Sequence, residues 1–290
     1  MKSSNPILSR WGATQSVTRS DAAPRRPVGT GAGAHLGSDH LANPYAPAGE
    51  TGTGTGTGPQ DARTALTLDD VVVRTASTLG AVALAAVLSW LLLPVDEANI
   101  GRSYGIAVGA AIIAFALSMF QSFRRTPSPA LILGYAAFEG VFLGVFSNAT
   151  STYIAPGVVV QAVLGTIAVS AGMLIAYRLR WIRVTRRFAG TVGAAATGFL
   201  LLLVADALFS AFGAGDGMGF HSGGLGIAFG LFGIALGACF LALDFKQVED
   251  AIAFGAPREE AWLAAFGLTA TLVWIYLEVL QLLSLFNNDN

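Results

Sequence analysis

Charge is what this sequence has least of. Only 12% of its 290 residues are Asp, Glu, Lys or Arg, while 53% are hydrophobic; a water-soluble domain carries about 25% charged residues. With a net charge of −1 and no Lys/Arg-rich helix, the chain has no basic field, which excludes nucleic acid as a main partner. A single cysteine, Cys239, sits in an apolar run, so it forms no internal disulfide and is expected to serve packing. Histidine is scarce too: His35, His40 and His221 lie far from any second ligand at metal-site spacing, so neither zinc nor another resident cofactor is expected. Near the N-terminus, no basic stretch leads directly into an apolar one, as a secretion signal would need.

What is present divides in two. Residues 1–67 are mainly Gly, Ser, Thr, Ala and Pro and end in a Thr-Gly alternation. They offer too little apolar surface to offset the entropy of ordering, so they are expected to form a disordered tail. Residues 68–290 carry long apolar runs near Val71–Leu93, Ser103–Gln121, Ala130–Ser147, Gly157–Tyr177, Phe188–Phe212, Gly223–Asp244 and Leu263–Phe286. A bilayer crossing takes about 20 apolar residues at ~1.5 Å each. The expected fold class is therefore all-α: a polytopic membrane protein with seven transmembrane helices in contact with the lipid bilayer.

Arginine collects in alternate connections. Arg63 and Arg74 flank the first run, Arg124 and Arg125 follow the second, and Arg178, Arg180, Arg183, Arg186 and Arg187 crowd the fourth connection. The other connections hold Asp96, Glu97 and Arg102, then no charge between Asn148 and Gly157, then Asp216 and His221. The positive-inside rule then predicts a cytoplasmic tail and an external C-terminus. In the sixth run Gly226, Gly230, Gly233 and Gly237 leave one smooth helix face, suited to close packing on a neighbour.

Ionisable residues inside a membrane are costly unless paired or hydrated, which makes Glu139, Asp206, Asp244 and Glu278 the candidate functional residues. Glu139 falls near the middle of its run. Asp206 falls close to the far end of the fifth, where water contact is expected. In the last run Thr271, Trp274, Glu278 and Gln281 recur at the helical period, giving that helix a polar seam expected to face other helices.

At these residues the chain resembles a known family. The segment Ala242-Leu-Asp244-Phe-Lys-Gln-Val-Glu249, the connection Gly255-Ala-Pro257-Arg-Glu-Glu-Ala-Trp262, and Ala264 through Glu278 are similar to the Bax inhibitor-1/YccA family of membrane proteins. The start, Ser4-Asn-Pro-Ile-Leu-Ser-Arg10, is similar to actinobacterial members, which implies a bacterial plasma membrane. The resemblance implies a seven-helix fold around a polar last helix, and a pH-sensitive calcium leak in which two acids on the last two helices form the sensor and an arginine competes for one of them. By position Asp244 and Glu278 match the acids, and Arg124 or Arg125 the arginine. Glu278 departs from the aspartate of the family pattern, and the stretch between the acids is about ten residues longer. Two continuous helices would leave the acids roughly 15 Å apart in depth. For them to meet, residues around Arg258 to Gly267 must lie along the interface; otherwise Glu139 becomes the better partner.

Two acids that met would titrate as one unit and could transiently hold calcium through Asp244 and Glu278. The competing expectation is a regulator that transports nothing and binds other membrane proteins, such as a membrane protease. An intramembrane aspartyl enzyme is not expected, because no Tyr-Asp with Gly-x-Gly-Asp pairing occurs.

Overall fold

Capping residues and backbone breakers turn the apolar runs into helices of definite length. The computed structural model describes residues 65–124, 126–212 and 222–288. Its helices are α1 (Leu68–Leu92), α2 (Ile100–Phe123), α3 (Pro129–Tyr153), α4 (Val158–Arg178), α5 (Arg186–Ala211), α6 (Gly223–Ala253) and α7 (Ala261–Asn288). All seven are long and apolar enough to cross a membrane.

Thr67 caps α1 by accepting the Asp70 amide at 3.3 Å, and Asp69 and Asp70 in the first turn complement the helix dipole. Thr185 caps α5 by accepting from the Phe188 amide at 3.2 Å, and Pro129 opens α3. The end of α6 is set by Gly255, whose φ of +68° favours glycine. Its amide donates to Ile252 O at 3.1 Å and that of Ala256 to Ala251 O at 2.9 Å, a Schellman closure that satisfies the last carbonyls. Pro257 then stops the helix, and one 3₁₀ turn, Arg258–Glu260, leads straight into α7.

α7 is the organising element. It packs against α1, α3, α4 and α6, and Ala265, Ile275 and Leu280 on it are fully buried. Hydroxyl pairs tie it to its neighbours: Thr78 to Thr269 at 2.7 Å and Ser147 to Tyr276 at 2.7 Å. α1 and α3 approach closely through Gly140 and Gly144, where an added Cβ would run into the α1 backbone at Val82 and Ala86. α5 packs against α6, with Phe199 stacked on Phe229 at 4.3 Å. The outward faces remain apolar: Leu84, Leu91, Leu164 and Leu201 are each more than half exposed, as a surface meant for lipid tails should be.

Two expectations shift. α6 runs nine residues past Asp244, because Lys246, Glu249 and Asp250 lower the hydropathy without breaking the helix. Residues Ala65 to Thr67, assigned by composition to the tail, pack on the α6–α7 turn: Leu66 is buried and its amide donates to Ala256 O at 2.8 Å. Residues 1–64, with the rest of the expected tail, and Arg125, Asp216 and His221 lie outside the described residues.

Candidate functional site

The polar seam of α7 turns towards α6, and the glycines of α6 set what each seam residue meets. Asp244 Oδ2 accepts the Thr271 hydroxyl at 2.6 Å, and Asp244 Oδ1 lies 3.4 Å from the place a Cβ of Gly267 would take. Further along, the Trp274 indole N–H donates to Gly233 O at 3.3 Å. The Glu278 carboxyl sits against the same Gly233, where an added Cβ would lie 2.5 Å from its carboxyl carbon. Leu282 then closes over Gly230.

This antiparallel register decides the depth of the acids. Asp244 is level with Gly267 and Thr271, whereas Glu278 is level with Gly233, eleven residues back along α6. At ~1.5 Å per residue this is ~16 Å along α6 and, from Thr271 to Glu278, ~10 Å along α7, so the two carboxylates lie roughly 10–16 Å apart along the bundle. They neither share a proton nor chelate one ion together. The physical reason is the short connection: only residues 254–260, ending in the turn Arg258–Glu260, separate two continuous helices, so no stretch lies along the interface to draw Glu278 back.

The alternative partner, Glu139, lies on α3. Tyr135 of α3 meets Phe266 edge-on at 5.1 Å and Ser147 meets Tyr276 at 2.7 Å. α3 and α7 run parallel between these contacts, so Glu139 is level with residues 269 to 271 and shares the depth of Asp244. Asp206 is buried at 5% exposure, where its position near a helix end predicts water contact.

Arg124 does not face Asp244. It lies exposed at the end of α2, its guanidinium 5.9 Å above the Phe120 ring of the same helix. The arginine set against a carboxylate is Arg258, which donates from Nε and Nη2 to Asp70 Oδ1, each at 2.6 Å. The Thr67 hydroxyl holds Asp70 Oδ2 at 2.7 Å, while Arg74 donates to the Arg258 carbonyl and lies 5.4 Å over the Trp262 ring. With the backbone bridge of Ala65 to Pro257, these contacts latch the start of α1 onto the turn that leads into α7. Sequence reasoning misses the latch. Its partners are 188 positions apart, and Asp70 reads as an ordinary first-turn acid.

A family model described as Bax inhibitor 1 like matches residues 5–288. The chain belongs to the Bax inhibitor 1-like family. No curated protein matches it. In this Bax inhibitor 1-like chain, then, the interface of α6 and α7 carries carboxylates at two separate levels, Asp244 from α6 and Glu278 from α7. No cluster of three His, Cys, Asp or Glu side chains occurs among the described residues.

Proposed function

We propose that the protein is a pH-responsive cation leak, for calcium, in a bacterial plasma membrane, with its tail cytoplasmic and its C-terminus external. The observation that carries this reading is the polar seam of α7: a helix buried or half-buried from Ala261 to Leu285 presents Thr271, Glu278 and Gln281 to the bundle interior, with Asp244 joined to it from α6. Ionisable groups so placed are costly as packing devices and mark an ion path. Calcium is a hard cation that takes several oxygen ligands. The level of Asp244, Thr271 and Glu139 offers two carboxylates and a hydroxyl at one depth. The arginine-rich connection after α4 lies on the same side as the latch, which supports a cytoplasmic position for both.

In this reading protonation of the acids discharges the path and sets its pH response, while the Asp70–Arg258 latch closes its cytoplasmic mouth. No enzymatic step and no resident cofactor is required. The test is calcium entry into proteoliposomes across a pH series, comparing the wild type with Asp244→Asn. Calcium entry whose pH response is flattened by the substitution supports the leak; no calcium entry at any pH refutes it.

The reading as a binding regulator loses one of its supports. The glycine face of α6 is filled from within by Ile275, Glu278 and Leu282 of α7, so it is not offered to another protein.

A further inference from the structure

The helices joined by the arginine-rich connection leave a space beneath it. Arg178, Arg180, Arg183, Arg186 and Arg187 are all exposed, no acid lies between them, and none of them pairs with a carboxylate among the described residues. Arg180 holds the left-handed position of the turn that ends α4, with φ +56°, where glycine is favoured. Trp181 follows it and is 77% exposed beside the arginines. α4 and α5 each pack on α6 and are not packed along each other. A thin stripe holds α5 in place: Val192, Phe199 and Asp206 are buried at seven-residue intervals. The first half of α5 leaves room elsewhere, since a Cβ at Gly190, Gly193 or Gly198 would meet nothing within 4 Å.

The helical phase of α6 sets the floor of this space. On the α4 side, the Tyr177 ring meets Phe245 at 5.8 Å and its hydroxyl donates to Glu249. On the α5 side, Phe188 and Leu243 join the apolar cluster of Val192 and Phe199, and Asp244 turns to Thr271 of α7. At ~100° per residue, the sector of α6 left between α4 and α5 holds Ala228, Ala235 and Lys246. The two alanines are exposed, and Lys246 is half-buried in an ion pair with Asp250. The space is thus a groove open to the bilayer, with a floor of small apolar side chains and a basic mouth. Against the five arginines and Lys246 stand Glu249, held by Tyr177, and Asp250, so the mouth keeps an excess of positive charge.

We propose that this groove seats one anionic phospholipid, its phosphate at the arginine mouth above Lys246 and an acyl chain along Ala235 and Ala228. The positive-inside rule accounts for the charge of the connection but not for a gap between the helices that it joins. Guanidinium groups match phosphate oxygens bidentately, and the Lys246 ammonium adds a point charge. Trp181 suits the headgroup level, where indole rings are favoured. A zwitterionic lipid brings its own cation to the mouth and is disfavoured there. Lys246 and Asp244 lie on opposite faces of α6, so the lipid site is separate from the acids of the α6–α7 interface and does not depend on the leak.

The test is native mass spectrometry of the full chain released from nanodiscs holding equal amounts of phosphatidylcholine and phosphatidylglycerol. One phosphatidylglycerol per chain is expected to be retained when other lipids are lost. Lys246→Gln leaves the arginine connection intact and is expected to weaken this retention about fivefold, the usual effect of one basic residue at an anionic surface. Ala235→Trp changes no charge but fills the floor, and is expected to displace the lipid. Leu84→Trp, on the exposed face of α1, is expected to keep it. Should Ala235→Trp fail to fold, Ala228→Trp repeats the test two turns along the same floor. Equal retention of the two lipids, or phosphatidylglycerol retained undiminished in either Lys246→Gln or the tryptophan variant of the floor, overturns the proposal. A lipid-free protein dimer would overturn it in favour of a second copy in the groove.

Discussion

The Asp244 carboxylate accepts the Thr271 hydroxyl at 2.6 Å, and this contact fixes the register in which α6 and α7 run past each other. Thr271 and Glu278 are two turns apart on the same face of α7, so binding Asp244 to the first keeps it away from the second. Acids expected to act as a pair become two stations.

The latch between Asp70 and Arg258 should restrain the cytoplasmic mouth. Arg258→Ala removes both donors from Asp70, and Asp70→Asn removes the negative charge that they pair with. Either is expected to raise calcium leak at fixed pH, by about fivefold or more if the latch couples to opening as allosteric contacts typically do. Exchanging the two residues, Asp70→Arg with Arg258→Asp, should restore much of the closed behaviour. A leak unchanged in both single variants would show that the latch is structural only.

The close approach of α1 and α3 makes a stability prediction. Gly144→Ala drives a methyl into Ser89 Oγ and the Ala86 carbonyl, which must move apart. Overpacking of this kind costs about 1–3 kcal/mol. Gly109→Ala on α2 meets nothing within 4 Å and exchanges glycine for a better helix former, a gain of up to ~1 kcal/mol. Thermal unfolding in detergent should order the three proteins with Gly144→Ala lowest and Gly109→Ala at or above the wild type.

Orientation is checked by reporter fusions. A reporter placed after Arg187, in the first turn of α5 where the arginine-rich stretch ends, is expected to read cytoplasmic, and one placed after Asn290 to read external. A cytoplasmic reading at Asn290 would overturn the proposed sidedness.

Much of the fold is legible in the sequence because hydropathy and helical period act locally. Each of the seven runs becomes a helix, and the period-matched residues Thr271, Trp274 and Glu278 all face α6. The register of the site is not legible. It depends on whether residues 258 to 267 span or lie flat, and a short connection, 254–260, from which α7 starts at Ala261, decides it. Gly233 is hidden for a related reason: a stripe of small residues reads the same whether the gap receives Leu282 or a carboxylate. The bond from Arg258 to Asp70 joins opposite ends of the described chain, and no local pattern announces such a pair.

The central claim is that acids at two levels of one seam control cation flow independently. Calcium entry into proteoliposomes should be measured across a pH series for the wild type, Asp244→Asn, Glu278→Gln and the double variant. Sites more than about 7–10 Å apart act additively, so each single substitution is expected to alter the pH response and the double to combine the two effects. A double variant no different from either single one would contradict the separation, and a pH response that survives the double substitution intact would contradict the path along α7.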